Sequence, residues 1–420
     1  MGGSIGVVGG GQLAWMLAAA AREQGIELHV QTPELSDPAA RLATSVVRAP
    51  LSDLAATRSL AQRTSAISFE NEWLDLDSLA PLEQEGVVFI PRLDSLADLV
   101  CKRRQRQLLE RLRLPSPRWF PLEQILTPPA PAPTKQLDPA LAGAGARDSA
   151  GEAPAPALPL PPRIPVGFDF PLMAKAVRGG YDGRGTRVIR TQAELEALIE
   201  AVDPSLWLLE EFVAFEQELA LVACRDHLGA VQCYPLVETH QHDQVCDWVL
   251  APAAASQAVE ARARNVAASL LAALDYVGVL SIEFFYGPSG LLINELAPRT
   301  HNSGHYTIEA CRTSQFAQQV RIVSGEPLGD TTMTLSGALM VNLLGFETST
   351  AAYAGQRQAL EALADVHLHW YGKRLARPGR KLGHLTVELK ASGAPERVKE
   401  ATLRLAEVRA IWPLPTARTP

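Results

Sequence analysis

Short apolar runs alternate with amphipathic stretches over roughly the first 95 residues. Ile5-Gly6-Val7-Val8 predicts a buried strand, 13–23 a helix, and Ile26-Glu27-Leu28-His29-Val30 a second strand. Further short strands are expected at 46–47 and 66–69, helices near 53–62 and 75–84, and a closing strand at 87–90. Strands alternating with helices imply a parallel, doubly wound sheet. Residues 98–114 read as one amphipathic helix ending at Pro115. Beyond it the pattern predicts strands near 172–177, 187–190, 206–213, 218–224 and 230–238. Helices are expected at 191–201, 255–275 and 307–324. The last part predicts strands at 366–371 and 384–390 and a helix at 395–408. Between 127 and 165 the pattern gives way to Pro, Ala and Gly. Such a stretch buries too little surface to offset its ordering entropy, so a disordered insertion is expected.

Composition narrows the classes. A chain of 420 residues with 47% apolar residues holds two or three domains with full cores. A net charge of −7 argues against a general nucleic-acid binder. Five cysteines without a C-x-x-C pair suit a reducing cytosol rather than a disulfide framework. Neither a signal peptide nor an apolar run of about 18 residues is present, so a cytoplasmic protein without a membrane partner is expected.

The stretch 281–305 carries the strongest chemical signal. It reads as a hairpin around Gly287-Pro288-Ser289-Gly290, followed by Asn294-Glu295-Leu296-Ala297-Pro298-Arg299. A three-residue Pro-Ser-Gly loop would set Glu283 across from Glu295. Facing side chains of a hairpin stand roughly 4.5–5.5 Å apart. Two carboxylates that close favour a cation between them. Mg²⁺ takes carboxylate and phosphate oxygens, so this hairpin suits a metal–nucleotide site. The plainer alternative is a solvated strand pair with two incidental acids.

Other segments point toward phosphate. Gly9-Gly10-Gly11-Gln12 ends a strand and starts a helix, presenting N–H groups to an anion or forming a plain tight turn. As a dinucleotide fingerprint it lacks the acid expected after the second strand, near Gln31. Arg178-Gly179-Gly180-Tyr181-Asp182-Gly183-Arg184-Gly185-Thr186 is a flexible loop after a strand bearing Lys175, and can wrap phosphates. Glu210-Glu211-Phe212-Val213 and Glu218 place acids on strands, as nucleotide acceptors or edge charges. Lys373, Arg377, Arg380 and Lys381 crowd a Gly- and Pro-shaped loop that suits a phosphorylated substrate. His367 and His369 share a strand face but lack an obvious third metal ligand.

Together these segments resemble the ATP-grasp superfamily, and within it the N5-carboxyaminoimidazole ribonucleotide synthases, ligases of purine biosynthesis. The resemblance spans nearly the whole chain. It is most specific at Gly180 to Gly185, at Asn294 to Arg299 with His301-Asn302-Ser303-Gly304-His305, and at His367 to Tyr371 with Arg377 to Lys381. It implies an α/β and α+β fold in three parts: a doubly wound domain at 1–97, an ATP-grasp domain with a lid at 98–330, and a small β-rich domain at 331–420. It implies a homodimer that uses ATP, bicarbonate and 5-aminoimidazole ribonucleotide, with Mg²⁺ or alternatively Mn²⁺. Another ATP-grasp acyl-phosphate enzyme, such as a formate-dependent glycinamide ribonucleotide transformylase or a biotin carboxylase, is the nearest alternative. A nucleotide-binding regulatory protein without catalysis is the alternative from another class.

Position by position, the resemblance makes Glu283 and Glu295 the metal ligands. Lys102, Lys175, Gly180 to Thr186, Glu210 to Val213, Glu218 and Asn294 become the nucleotide set, joined by Glu295. Tyr181, Asp182, Arg184, Lys373 and Arg380 become the catalytic set. Gln12, Glu70, Asn302, Ser303, Lys373, Arg380 and Lys381 become the ribonucleotide set. The chain departs from the family at Lys102, where many relatives have Arg, and at Gln241, where relatives often have His. On a regular strand Asn294 points away from Glu283, so its role requires a local distortion.

Overall fold

The computed structural model describes residues 3–126, 163–180 and 185–416. It has two compact units, one from Met1–Pro117, Val177–Gly185 and Val213–Pro420, the other from Arg118–Ala176 and Thr186–Phe212. Of the proposed insertion at 127–165, only residues 163–165 lie among the described residues.

The larger unit starts with strands β1 (Ser4–Val8), β2 (Glu27–Thr32), β3 (Ser45–Arg48) and β4 (Ala66–Phe69). They are parallel, in the order β3-β2-β1-β4, with helices such as Gln12–Glu23 and Leu54–Ala61 between them. This is the doubly wound start that alternation predicted. The expected strand at 87–90 shrinks to one parallel bridge between Ile67 and Phe89. Pro91 follows and has no N–H to extend a ladder.

The smaller unit holds β5 (Trp119–Pro121), β6 (Leu172–Ala176), β7 (Thr186–Ile189) and β8 (Trp207–Glu211), antiparallel in the order β5-β8-β6-β7. Phe120, Leu172, Leu195 and Leu209 belong to its own core. Thr191 caps the helix Gln192–Ala201 by accepting from the Glu194 N–H.

The larger unit also carries a nine-stranded sheet. Its strands are β9 (Gln217–Arg225), β10 (Val231–Cys233), β11 (Val237–His242), β12 (Val245–Ala251), β13 (Gly278–Gly287), β14 (Gly290–Ala297), β15 (Gly337–Leu344), β16 (Val366–Trp370) and β17 (Lys381–Leu389). The order is β14-β13-β9-β11-β12-β15-β17-β16, with β10 on β9. The strand expected at 230–238 is two strands, because Pro235 interrupts the ladder. β15 pairs with both β12 and β17, so hydrogen bonding runs unbroken across residue 331. All eight residues of β15 are buried, so it shows no alternation for sequence reading to detect. The helix expected at 307–324 is two, Thr307–Ala310 and Gln315–Val323. Cys311 is extended between them, and Ser314 starts the second by accepting from the Ala317 N–H.

Candidate active site

Glu283 on β13 lies opposite Glu295 on β14. The route to this register differs from the expected three-residue loop. Gly287 pairs with Gly290, leaving only Pro288 and Ser289 between the strands, and Gly290 takes a φ of +79°. In that frame Phe284 meets Ile293, and Glu283 would meet Asn294. A bulge between Glu283 and Phe284 takes up Asn294 and brings Glu295 opposite Glu283. The bulge, rather than the turn, therefore sets the two carboxylates face to face.

The pair carries strained electrostatics. Burial, with Glu295 and Glu218 beside it, pushes the Glu283 carboxyl up to about 7, while Lys102 and Lys381 pull it down. Burial also pushes Glu218 up to about 7. Phe285 and Glu283 on β13 pair with Glu218 and Ala220 on β9, which puts Glu218 and Glu283 on one face of the sheet. Lys102 forms an ion pair with Glu295, and His301 Nε2 lies 3.5 Å from Glu283 Oε1. Two crowded carboxylates fit a hard divalent cation, which would relieve their mutual repulsion. Among the described residues no group of three or more His, Cys, Asp or Glu gathers into a metal site. The chain would thus offer two carboxylates, and phosphate oxygens or water the remaining ligands.

Beside this pair, Lys102, Glu295, Glu72, Arg178, Gly179 and Gly180 line one cleft. The Lys102 N–H donates to the Val177 carbonyl at 2.9 Å, which ties the start of helix Lys102–Arg111 to the glycine loop. Glu72 in this cleft is ion-paired with Arg299. Burial alone would raise Glu72, but the Arg299 charge and hydrogen bonds outweigh it and hold the carboxyl at about 2.

The glycine turn after β1 has a different occupant from the phosphate expected. Glu70, just past β4, accepts from the N–H groups of Gly11 at 2.7 Å and Leu13 at 3.1 Å. The anion at this helix N-terminus is the protein's own carboxylate. A Cβ on Gly9 or Gly11 would stand 2.4 Å from Glu70 atoms, and one on Gly10 2.4 Å from Thr32 Oγ1. The three glycines are there for close approach. Burial pushes Glu70 upward, against those N–H bonds and the nearby Lys373 charge. Lys373 Nζ donates to Gln12 Oε1 and to the Lys381 carbonyl, each at 2.7 Å. Gln12, Glu70, Lys373 and Lys381 thus converge. Arg380 instead donates to the Leu375 carbonyl of its own loop at 2.7 Å.

Asn302 and Ser303 are buried and bonded within the protein. Asn302 and Asn342 exchange side-chain amide bonds at 3.0 and 2.7 Å, and Ser303 Oγ lies 3.0 Å from His301 Nδ1. His367 and His369 bond to different carboxylates, Glu388 at 2.8 Å and Glu309 at 2.6 Å. In the smaller unit, Lys175 and Glu210 are buried and ion-paired at 2.8 Å. Glu211 accepts from the Arg118 N–H and guanidinium, Phe212 and Val213 follow β8, and Thr186 pairs with Lys175 across β6 and β7. Gly185 takes a φ of +76°. Tyr181, Asp182, Gly183 and Arg184 lie outside the described residues.

Sequence reading missed Gln105 and Arg106, which bond β14 beside Glu295. Their signal was weak, because polar residues on an amphipathic helix ordinarily face water. It also missed the histidine column under the basic loop. His384 packs 4.5 Å from His369 and 4.8 Å from His305, ring centre to ring centre, and its Nδ1 lies 2.8 Å from the Tyr371 hydroxyl.

Three family descriptions match in chain order. Residues 3–98 match the ribonucleotide synthetase preATP-grasp domain, 164–316 the ATP-grasp domain, and 338–394 the phosphoribosylaminoimidazole carboxylase C-terminal domain. The N5-carboxyaminoimidazole ribonucleotide synthase of Synechococcus elongatus is 47% identical, over 99% of this chain and 97% of its own. The chain belongs to the N5-carboxyaminoimidazole ribonucleotide synthase family. The fold of this family member agrees. The synthetase of Thermus thermophilus superposes with a TM-score of 0.77 at 30% identity, covering 97% of this chain and 98% of that one. The Aspergillus clavatus synthase, solved with ADP and 5-aminoimidazole ribonucleotide, gives 0.79 at 25% identity, covering 97% and 99%. The ATP-grasp ligase architecture read from the motifs is therefore the architecture of this family member. No helix among its described residues is long and apolar enough to cross a membrane.

Proposed function

We propose that the protein carboxylates 5-aminoimidazole ribonucleotide, using bicarbonate and ATP, and releases N5-carboxyaminoimidazole ribonucleotide, ADP and phosphate. It does so in the cytosol as a homodimer. The observation that carries this reading is the facing pair Glu283 and Glu295 beside Lys102. Lys102, Lys175 and Gly180 to Thr186 meet the phosphates of ATP, Glu210 to Val213 the adenine, and Glu218 the ribose. Glu283 and Glu295, with Asn294 between the strands' frames, would hold Mg²⁺ or Mn²⁺. Such an ion supplies positive charge to the phosphates when bound.

Bicarbonate attacks the γ-phosphate, and Lys102, Lys175 and the loop N–H groups stabilise charge on the transferring phosphoryl group. The resulting carboxyphosphate is short-lived in water, so its site must exclude solvent. It gives CO₂ and phosphate beside the exocyclic amine of the ribonucleotide. Gln12 and Glu70 face that ribonucleotide, and Asn302 and Ser303 hold the loop next to it. Lys373, Arg380 and Lys381 meet its phosphate and the carboxyphosphate. Asp182 orients or deprotonates the amine, and Tyr181 and Arg184 hold the bicarbonate-derived anion.

The deciding experiment is ADP release from Mg²⁺-ATP and bicarbonate, with and without 5-aminoimidazole ribonucleotide. Strong stimulation by the ribonucleotide is expected. Turnover indifferent to it but responsive to formate or biotin would overturn the substrate assignment.

A further inference from the structure

β14 is the edge strand of the nine-stranded sheet, with β13 as its strand neighbour. An edge strand leaves N–H and C=O groups that need other partners. Helix Lys102–Arg111 supplies them beside the site. Gln105 Nε2 donates to the Leu296 carbonyl at 2.9 Å, and Gln105 Oε1 accepts from the Leu296 N–H at 3.2 Å. One side-chain amide thus stands in for a neighbouring strand. Arg106 Nη1 donates to the Ile293 carbonyl at 3.2 Å, and Nη2 to the Asn294 carbonyl at 2.7 Å. Both side chains are buried, with Gln105 5% and Arg106 3% exposed.

The placement of these four bonds is specific. They fall on residues 293, 294 and 296, on either side of Glu295. They straddle the bulge that moves Asn294 out of frame. A bulge leaves its extra residue outside the ladder, so its backbone groups need another partner. The planar fork of Arg106 reaches two successive carbonyls there, which a lysine's point charge does less well. Without this clamp the hairpin could revert to the frame set by its turn. Glu283 would then face Asn294, and Glu295 would pass to the other side of the strand.

We propose that Gln105 and Arg106 are positioning residues, which hold the Asn294 bulge and thereby the Glu283–Glu295 pair in the form that takes a divalent cation. The proposal rests on the reading of that pair as a cation site.

Calorimetric titration of ATP binding against Mg²⁺ tests it without turnover, with hydrogen exchange at 293–297 measured in parallel. In the wild type Mg²⁺ is expected to tighten ATP binding; no tightening would overturn the cation-site reading itself. With that tightening present, Arg106→Met is expected to raise the Mg²⁺ midpoint roughly tenfold or more. Its ATP binding without Mg²⁺ should stay unchanged, and exchange at 293–297 should quicken. Arg106→Lys should recover part of the loss, and Gln105→Met should shift the midpoint in the same direction. Arg225 donates to the Tyr276 carbonyl at 3.1 Å and pairs with Asp275 at 2.8 Å, so Arg225→Met serves as a control for general loosening. It should lower Tm and leave the midpoint in place. A wild-type midpoint and wild-type exchange in Arg106→Met and Gln105→Met would overturn the proposal, and so would an equal midpoint shift in Arg225→Met. If Arg106→Met does not fold, Arg106→Lys and Gln105→Met carry the same test.

Discussion

Glu70 and Glu295 put the same functional group to opposite uses. Glu70 gives its charge to the first turn of a helix, where it satisfies N–H groups that have no intrahelical acceptor. Replacing it with Gln keeps an oxygen but loses the charge. Glu70→Gln should therefore cost about 1 kcal/mol of stability, seen as a lower Tm. It should also raise KM for the ribonucleotide more than KM for ATP, because Gln12 and Lys373 lie beside it. An unchanged Tm and an unchanged KM would refute that role. Glu295→Gln removes half of the carboxylate pair and is expected to abolish Mg²⁺-dependent ATP turnover, measured as ADP release; near-normal turnover would sink the metal assignment. At this scale, the sequence identified the carboxylate pair correctly because both residues belong to one hairpin. It could not identify the partner of Glu70, because the partner is a helix start 59 residues away.

At the scale of elements, the glycine turn after β1 shows how tightly an element can constrain its composition. Gly11→Ala would drive a Cβ to 2.4 Å from Glu70 Oε1. It should destabilise the protein by about 1–3 kcal/mol, read as a loss in chemical denaturation. Gly355 lies within the helix Ala354–Glu361, and a Cβ there meets nothing within 4 Å. Gly355→Ala should stabilise by about 0.5–1 kcal/mol in the same assay. If both substitutions moved stability in the same direction, close packing would not be what selects glycine at the turn. Short apolar runs such as β1 and β4, and helically patterned stretches such as the helix Gln257–Ala273, follow the chain's own pattern. β15, buried along its whole length, is an apolar run of the same kind that is not among the expected strands. The hairpin is an instructive mixed case. The facing of Glu283 and Glu295 was legible, but the expected cause was a longer turn, and the observed cause is a bulge.

The whole molecule sets the response to pH. His305 and His384 are fully buried, and burial together with neighbouring His369 pushes both well below the ordinary imidazole range. In the unfolded chain each titrates near about 6.5. As pH falls below that value the unfolded state takes up protons that the folded state refuses, so stability declines. Glu72 acts in a lower window. Its folded value of about 2 lies under its ordinary 4.5, so its contribution is complete above 4.5 and is lost as pH falls toward 2. Two limbs are therefore expected. Between about pH 6.5 and 4.5 the loss from the two histidines is opposed by Glu218 and Glu283, whose folded values of about 7 make the folded state take up their protons first. Below about pH 4.5 thermal midpoints should drop. His384→Gln should tilt the first limb toward higher midpoints as pH falls and leave the second. A first limb of unchanged slope would show that His384 is not a source of it.

The chain alone determined what short-range physics can carry. Hydrophobic period set most strands and helices, glycine spacing marked the turns, and one hairpin put two acids on neighbouring strands, with the bulge at Asn294 bringing them opposite each other. Tertiary structure decided which distant groups complete the site. It set Glu70 on the helix N-terminus, brought Lys373 to Gln12 across 361 positions, and laid Gln105 and Arg106 along the open edge of β14. The physical reason is that these side chains answer unsatisfied backbone groups. Which groups stay unsatisfied is known only once the sheets are closed and their edges defined.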